Sequence, residues 1–142
     1  MKKVLFLCTE NACRSQMAEA LTNKLLSGKV EAHSAGTRPS GVNPFAVESL
    51  KEIGIDISGA RSKHVDEFKG RNFDLVITLC GGAREACPFW PGQGKSIHFG
   101  LDDPARAKGT KEEILSSFNA VRDRIIRELI PLLKKELGVE GD

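Results

Sequence analysis

Short apolar runs alternate with longer segments of helical periodicity along this chain. The runs at 4–7 and 73–79 are mostly apolar without clear alternation, which is typical of strands buried on both faces of a sheet. Weaker runs at 30–34 and 96–99 predict two further strands. Strands separated by helices form a parallel sheet with helices on both faces. The pattern therefore predicts a three-layer α/β fold, in which helices flank a central four-stranded parallel sheet.

The segments between the predicted strands carry helix start and stop signals. A helix over 16–27, ended by Gly28, is predicted by apolar side chains at core spacing: Met17, Ala20, Leu21 and Leu25. Asn43 followed by Pro44 has the residue types of an N-cap and a first helical position, so a second helix is predicted over 44–53.

A long helix is predicted in the last third of the chain. Thr110 and Glu113 have the spacing of a capping box, in which each side chain accepts a bond from the other's backbone amide. One apolar stripe follows at helical spacing: Ile114, Phe118, Val121, Ile125, Leu129 and Leu132. Pro131 is expected to kink this helix or to separate its last turn, because proline removes an amide donor.

Composition and charge exclude several classes of function. The 142 residues can bury one core, so residues 1–142 are predicted to form a single domain. A net charge of +2 does not indicate a nucleic-acid-binding surface, and no apolar stretch is long enough to span a membrane. No signal peptide is visible. We therefore expect a soluble cytoplasmic protein without nucleic-acid or membrane partners. We also expect a monomer.

The segment after the first predicted strand has the residues of an oxyanion-binding loop. Cys8 would end the strand and Arg14 with Ser15 would open a helix, with five residues between thiol and guanidinium: Thr9, Glu10, Asn11, Ala12 and Cys13. Loop amides and a helix N-terminus attract a tetrahedral anion, and an arginine can hold two of its oxygens. The same field stabilises a thiolate at Cys8, and Ser15 could hydrogen-bond the sulfur. Asn11 suits a left-handed position that shapes the loop.

Three chemical groups follow the ends of predicted strands. Cys8 follows the first strand, Cys80 the third and the segment Asp102-Asp103-Pro104 the fourth. Because ligands bind at the carboxyl ends of parallel strands, we expect these groups at one edge of the sheet. Cys87 lies seven residues after Cys80. In one helix their Cα atoms would be about 10.5 Å apart, so a disulfide would require this segment to unwind.

Cysteine usage indicates catalytic or redox chemistry rather than structural disulfides or a metal site. The four cysteines contain no C-x-x-C pair, and the three histidines show no ligand spacing: His33, His64 and His98. No metal and no cofactor are therefore predicted. Cys13 is expected to pack as a small apolar side chain.

Taken together, these motifs resemble the thioredoxin-coupled arsenate reductases built on the low-molecular-weight protein tyrosine phosphatase fold. The resemblance covers nearly the whole chain and rests on the segments 8–19, 34–36, 41–44, 56–58, 75–80 and 100–105. It implies an enzyme of arsenic detoxification that reduces arsenate to arsenite. Arsenate and thioredoxin are the implied partners, and phosphate or sulfate could occupy the same loop.

The resemblance also implies a relay of three thiols. Cys8 attacks arsenate held by the loop amides and Arg14, while Asp103 protonates the leaving oxygen. Cys80 then attacks Cys8, which releases arsenite and leaves a Cys8–Cys80 disulfide. Cys87 moves this to a Cys80–Cys87 disulfide, which thioredoxin reduces. Each exchange step needs a thiolate and an accessible sulfur.

Two positions depart from the family pattern. Glu10 stands where relatives commonly have glycine, and an acid there would either repel the oxyanion or point into solvent. Some relatives bind potassium beside the loop through the equivalents of Asn11, Glu19 and Ser34 plus an acidic side chain. The matching acidic position here is Lys63, so we hypothesise that its ammonium replaces the ion.

Several alternatives stay open at the level of sequence. A low-molecular-weight tyrosine phosphatase would use Cys8, Arg14 and Asp103, and a weak side activity of this kind is plausible. Such relatives carry aromatic residues where this chain has Ala105 and Arg106. A non-catalytic oxyanion-binding or redox-sensing module, and a reductase served by another thiol donor, are further possibilities. The simplest alternative is that the segment has no anion-binding role, with Cys8 buried at the end of a strand and Arg14 on the surface at the start of a helix.

Overall fold

A central sheet of four parallel strands organises this protein, as seen in a computed structural model that describes residues 1–80 and 94–139. Along the sheet the order is β2–β1–β3–β4. The strands are β1 (Lys2–Cys8), β2 (Val30–Gly36), β3 (Leu75–Thr78) and β4 (Lys95–His98). The predicted fold class, a four-stranded parallel sheet flanked by helices, is confirmed.

Helices supply the apolar side chains that cover one face of the sheet. They are α1 (Arg14–Leu25), α2 (Pro44–Lys51), α3 (Lys111–Arg124) and α4 (Ile130–Leu137). Their buried side chains form one cluster with alternate residues of the strands, among them Phe6 and Ile77. The remaining strand residues form a smaller cluster on the opposite face with Phe68 and Phe73.

The strand boundaries differ from those predicted because pairing, rather than apolar composition, sets them. β1 begins at Lys2 instead of residue 4, since Lys2 and Lys3 pair with Val30 and Glu31 of β2. β2 continues to Gly36 for the same reason. β3 is shorter than the predicted run 73–79, and β4 is shifted by one residue.

Helix α1 begins two residues earlier than predicted, at Arg14. The amide of Met17 donates to the Cys13 carbonyl at 2.9 Å, which closes the first helical turn inside the anion-binding loop. The expected burial of Leu25 was wrong, because Leu25 is 42% exposed while Leu26 is buried. The helix ends at Leu25, two residues before the predicted end.

Local capping signals correctly marked the starts of α2 and α3. The Asn43 side chain accepts a hydrogen bond from the Phe45 amide at 2.8 Å, with Pro44 at the first helical position. Thr110 and Glu113 form the predicted capping box. Helix α2 ends at Lys51, two residues earlier than predicted.

The long C-terminal helix is interrupted in a way that periodicity did not predict. A π-helical segment, Ile125–Leu129, separates α3 from α4. Pro131 consequently lies in the first turn of α4, where a missing amide donor costs little. The apolar stripe is nevertheless preserved, since its members are buried or packed against the main cluster. Among residues 1–80 and 94–139, no helix is long and apolar enough to cross a membrane.

Candidate active site

The predicted anion-binding loop lies at the carboxyl edge of the sheet, between β1 and α1. Cys8 is the last residue of β1, and Arg14 is the first residue of α1. Cys13 is the N-cap of α1, but its side chain makes no capping bond to the first amides of the helix. A small pocket opens here, lined by Cys8, Glu10, Ala12, Cys13, Arg14 and Asp103. The loop thus surrounds a concave space with a thiol at one wall.

Asn11 holds the loop in its curled shape. Its φ of 51° is left-handed, as predicted, and its side chain is fully buried. The Oδ1 atom accepts bonds from Gln16 Nε2 at 2.9 Å and from the Lys63 amide at 2.8 Å. The Nδ2 group donates to Ser15 Oγ at 2.8 Å. These contacts offset the cost of a strained backbone position.

Ser15 is positioned to stabilise the sulfur of Cys8. Ser15 Oγ lies 2.9 Å from Cys8 Sγ, and both residues are buried. Because an amide nitrogen such as Asn11 Nδ2 can only donate, the hydroxyl oxygen of Ser15 is the acceptor of that bond. Its single proton is therefore available to the sulfur. The predicted hydrogen bond between Ser15 and Cys8 is confirmed, and it favours the thiolate.

The second thiol of the loop, Cys13, is kept neutral. Burial raises the pKa of Cys13 to about 12, and the nearby charges of Asp103 and Cys8 add to this shift. A thiol with this pKa is protonated at neutral pH and is a poor nucleophile. The expectation that Cys13 packs as a small apolar residue agrees with its place in the main cluster.

Arg14 links the loop to the ends of the other strands. Its Nη1 group donates to the Leu101 carbonyl at 3.0 Å, and Nη2 lies 3.8 Å from Asp103 Oδ2. Nη1 also approaches the Leu79 carbonyl at 3.5 Å. The guanidinium is only 5% exposed. Arg14 is thereby held in one orientation beside the pocket.

Asp103 approaches the pocket from the segment that follows β4. Its Oδ1 atom accepts a hydrogen bond from the Ala105 amide at 3.0 Å and caps the short 3₁₀ helix Pro104–Arg106. Its Oδ2 atom faces Arg14 and lies 3.9 Å from Arg106 Nε. The Asp103 side chain is 15% exposed and lines the pocket.

Cys80 lies at the same edge of the sheet as Cys8. The preceding amide, that of Leu79, donates to the Leu7 carbonyl at 2.9 Å, so the end of β3 stays beside the end of β1. Cys8 and Cys80 are both buried. The predicted convergence of Cys8, Cys80 and Asp103 at this edge agrees with the structure, whereas Cys87 lies outside the described residues.

Sequence reasoning gave no role to Gly36, which contacts the loop from β2. A Cβ atom at this position would lie 2.5 Å from the Thr9 carbonyl oxygen and 2.8 Å from that of Cys8. Only glycine allows the two backbones to approach so closely. The Ser-Ala-Gly segment at 34–36 was part of the family resemblance, but the sequence did not show why a glycine is needed there.

Residues 61–64 form a second support of the loop, of which only Lys63 had been placed beside the loop from the sequence. Ser62 Oγ donates to the Asn11 carbonyl at 2.7 Å, and the Gly36 amide donates to the Lys63 carbonyl at 2.9 Å. The segment is anchored by Glu67, whose pKa is lowered to about 2 chiefly by its hydrogen bonds from Arg61. The loop therefore rests on a segment about fifty residues away in sequence.

The position of Lys63 bears on whether these residues suit a potassium ion. Lys63 Nζ lies 3.2 Å from Glu19 Oε1, and Ser34 Oγ donates to the same oxygen at 2.6 Å. Both members of the Lys63–Glu19 pair are largely buried. The carboxylate is already paired with an internal cation, so these residues do not fit a potassium ion.

Comparisons with known proteins point to one family. Residues 3–141 match the low molecular weight phosphotyrosine protein phosphatase family. An arsenate reductase of Halalkalibacterium halodurans and one of Bacillus subtilis are each 49% identical to this chain over 124 residues. Those alignments cover 87% of this chain and 89% of each relative.

Solved structures agree with that match. The structure of an arsenate reductase in its phosphate-binding state has a TM-score of 0.80 and 37% identity, covering 95% of this chain and 98% of the other. A thioredoxin-dependent arsenate reductase of Corynebacterium glutamicum has a TM-score of 0.63 and 33% identity. That similarity covers 93% of this chain and 63% of the other.

Proposed function

This chain belongs to the low molecular weight phosphotyrosine protein phosphatase family, and we propose that it is an arsenate reductase that uses three thiols in series. The observation that carries this proposal is the position of two buried cysteines at one sheet edge, Cys8 in the anion-binding loop and Cys80 after the neighbouring strand. A phosphatase needs only the first of these. Because thioredoxin keeps thiols reduced in the cytoplasm, we place the reaction there.

The first step is attack of the Cys8 thiolate on the arsenic of bound arsenate. A sulfur–arsenic bond forms and an arsenic–oxygen bond breaks, and Asp103 gives the departing oxygen its proton, so that water leaves. Arg14 and the amides of the first turn of α1 hold the remaining oxygens. The Ser15 hydroxyl stabilises the thiolate before the attack.

The second step transfers two electrons to arsenic. The Cys80 thiolate attacks Cys8 Sγ, a sulfur–sulfur bond forms, and the sulfur–arsenic bond breaks with its electron pair left on arsenic. Arsenic passes from the +5 to the +3 state and leaves as arsenite, while the two cysteines are oxidised to a disulfide. The adjacency of β1 and β3 favours this exchange, because thiolate attack requires an accessible neighbouring sulfur.

Regeneration is assigned to Cys87 and thioredoxin. Cys87 attacks Cys80, which frees the Cys8 thiolate and moves the disulfide to Cys80–Cys87. Thioredoxin then reduces this disulfide by a further thiol–disulfide exchange and is itself oxidised to a disulfide. The thioredoxin-dependent relative supports the choice of donor.

Arsenate-dependent NADPH consumption with thioredoxin and thioredoxin reductase tests the relay. Cys8→Ser, Cys80→Ser and Cys87→Ser are each expected to abolish multiple turnover. Cys87→Ser should still release about one arsenite per protein and retain a Cys8–Cys80 disulfide, detectable by mass spectrometry. Full turnover by Cys87→Ser would refute the relay as described.

A phosphatase is the second candidate, because the family match and the loop are shared with phosphatases. Against it, Ala105 and Arg106 follow Asp103-Pro104, where a substrate ring would need an aromatic partner. Hydrolysis of an aryl phosphate by Cys80→Ser separates the two activities. We expect this variant to keep any weak phosphatase activity while it loses arsenate turnover. Efficient hydrolysis of aryl phosphate by the wild type, without arsenate reduction, would favour the phosphatase.

A further inference from the structure

Glu10 has no task in the proposed reaction, although it lines the anion pocket. Its carboxylate is exposed and shares the pocket with Cys8, Arg14 and Asp103. A negative charge at the mouth of an oxyanion site opposes the binding of an anion. The Glu10 carboxylate therefore affects which anions bind in the pocket and how tightly they bind.

The backbone around Glu10 is held in place, which keeps its charge at the mouth of the pocket. The Ser40 amide donates to the Glu10 carbonyl at 3.2 Å, and the Arg38 amide donates to the Thr9 carbonyl at 2.9 Å. Asn11, the next residue, is the buried left-handed position. Glu10 can change its rotamer, but its Cα cannot move away from the opening.

Charged groups of both signs lie around the pocket beside Glu10. The charged and titratable groups of the described elements around it are Cys8, Cys13 and Arg14 of the same loop, Arg38 of the neighbouring loop, and Asp103 and Arg106 after β4. Among the cationic side chains of residues 1–80 and 94–139, only Arg14 lines the pocket, and it also faces Asp103. The carboxylate of Glu10 therefore adds a repulsion that grows with the charge of the ligand.

We propose that Glu10 makes this pocket select monoanionic tetrahedral oxyanions over dianions of the same size. The inference deepens the proposed function, because the bound form of arsenate would then be dihydrogen arsenate. Sulfate, a dianion at neutral pH, is disfavoured, and phosphate enters as its monoanion. Since Glu10 is exposed, solvent screens its charge, and the selectivity from one unit of ligand charge is about threefold to tenfold.

Protection of Cys8 against alkylation by iodoacetamide, a neutral reagent, measures anion binding without requiring arsenate reduction. Sulfate and perchlorate are the two anions compared, because both are tetrahedral and they differ by one unit of charge. Both are used at the same ionic strength. Alkylation is followed by mass spectrometry of the Cys8 peptide. The variants are Glu10→Gln, the charge-conserving Glu10→Asp, and Glu48→Gln as a control on the exposed side of α2.

We expect Glu10→Gln to tighten sulfate relative to perchlorate by about threefold to tenfold. Glu10→Asp and Glu48→Gln should keep the wild-type ratio. An unchanged ratio in Glu10→Gln, or equal tightening of both anions, overturns the proposal. Absence of protection by either anion in every variant overturns it as well, and separately refutes an anion-binding role for the loop. If the wild type preferred perchlorate to sulfate as expected but did not turn over arsenate, only the proposed reaction would be refuted.

Discussion

Replacing Gly36 by alanine tests whether close backbone packing sets the geometry of the reactive loop. The added Cβ would lie 2.5 Å from the Thr9 carbonyl oxygen, 2.8 Å from that of Cys8 and 2.9 Å from the Asn11 amide nitrogen. All three are main-chain atoms, so no side-chain rotation relieves the contacts. To reach ordinary contact distances, the loop must move by roughly 0.5–1 Å.

This displacement should damage catalysis more than folding. A shift on the order of 1 Å in reacting groups costs on the order of 100-fold in rate, whereas overpacking destabilises a fold by about 1–3 kcal/mol. We therefore expect Gly36→Ala to lower the single-turnover rate of arsenite release by about 100-fold. The melting temperature should fall by only about 3–10 °C.

The matched control is Gly59→Ala. No heavy atom lies within 4 Å of a Cβ at Gly59, and this glycine has no positive φ. Both variants are assayed for single-turnover rate by rapid quench and for stability by calorimetry. If Gly36→Ala released arsenite at the rate of Gly59→Ala, the argument that β2 fixes the loop would be refuted.

Three further predictions concern the surroundings of the loop. Ser15→Ala should slow single-turnover arsenite release by about tenfold to 100-fold, because a hydrogen bond to the charged sulfur of Cys8 is worth about 1.5–3 kcal/mol. An unchanged rate would contradict the assignment of the Ser15 hydroxyl as the donor. Turnover should be equal in potassium and sodium salts, since Lys63 supplies the internal cation; strong activation by potassium would contradict this. The pKa of Glu67 lies at about 2 instead of 4.5, so its contribution to stability is present above pH 4.5 and disappears as the pH falls towards 2. Urea unfolding of wild type and Glu67→Gln should converge over that pH range, and a constant difference would exclude the pair with Arg61.

Local signals were enough to place most elements, because capping and turn preferences act over a few residues. Asn43 with Pro44 marked the start of α2, and Thr110 with Glu113 marked the start of α3. The first residues of β1 could not be predicted in this way. Lys2 is polar and extends the strand only because Val30 lies beside it in the folded sheet.

The loop itself was predictable for a similar reason. Cys8, Asn11, Arg14 and Ser15 are contiguous in sequence, so their chemistry and their mutual contacts follow from a single short segment. The rule that parallel strands present ligands at their carboxyl ends then placed Asp103 at the same edge. These inferences needed no knowledge of side-chain packing.

The residue types along the chain are enough to show which chemistry is available: a thiol next to an anion-binding turn, further thiols for reduction and a carboxylic acid. The contacts that hold these groups in place arise from the fold. Gly36, Ser62 and Lys63 reach the loop from segments far away in sequence, and Leu101 supplies the carbonyl that orients Arg14. Local preferences extend over a few bonds of the backbone, whereas these contacts exist only once the strands have paired and the helices have packed.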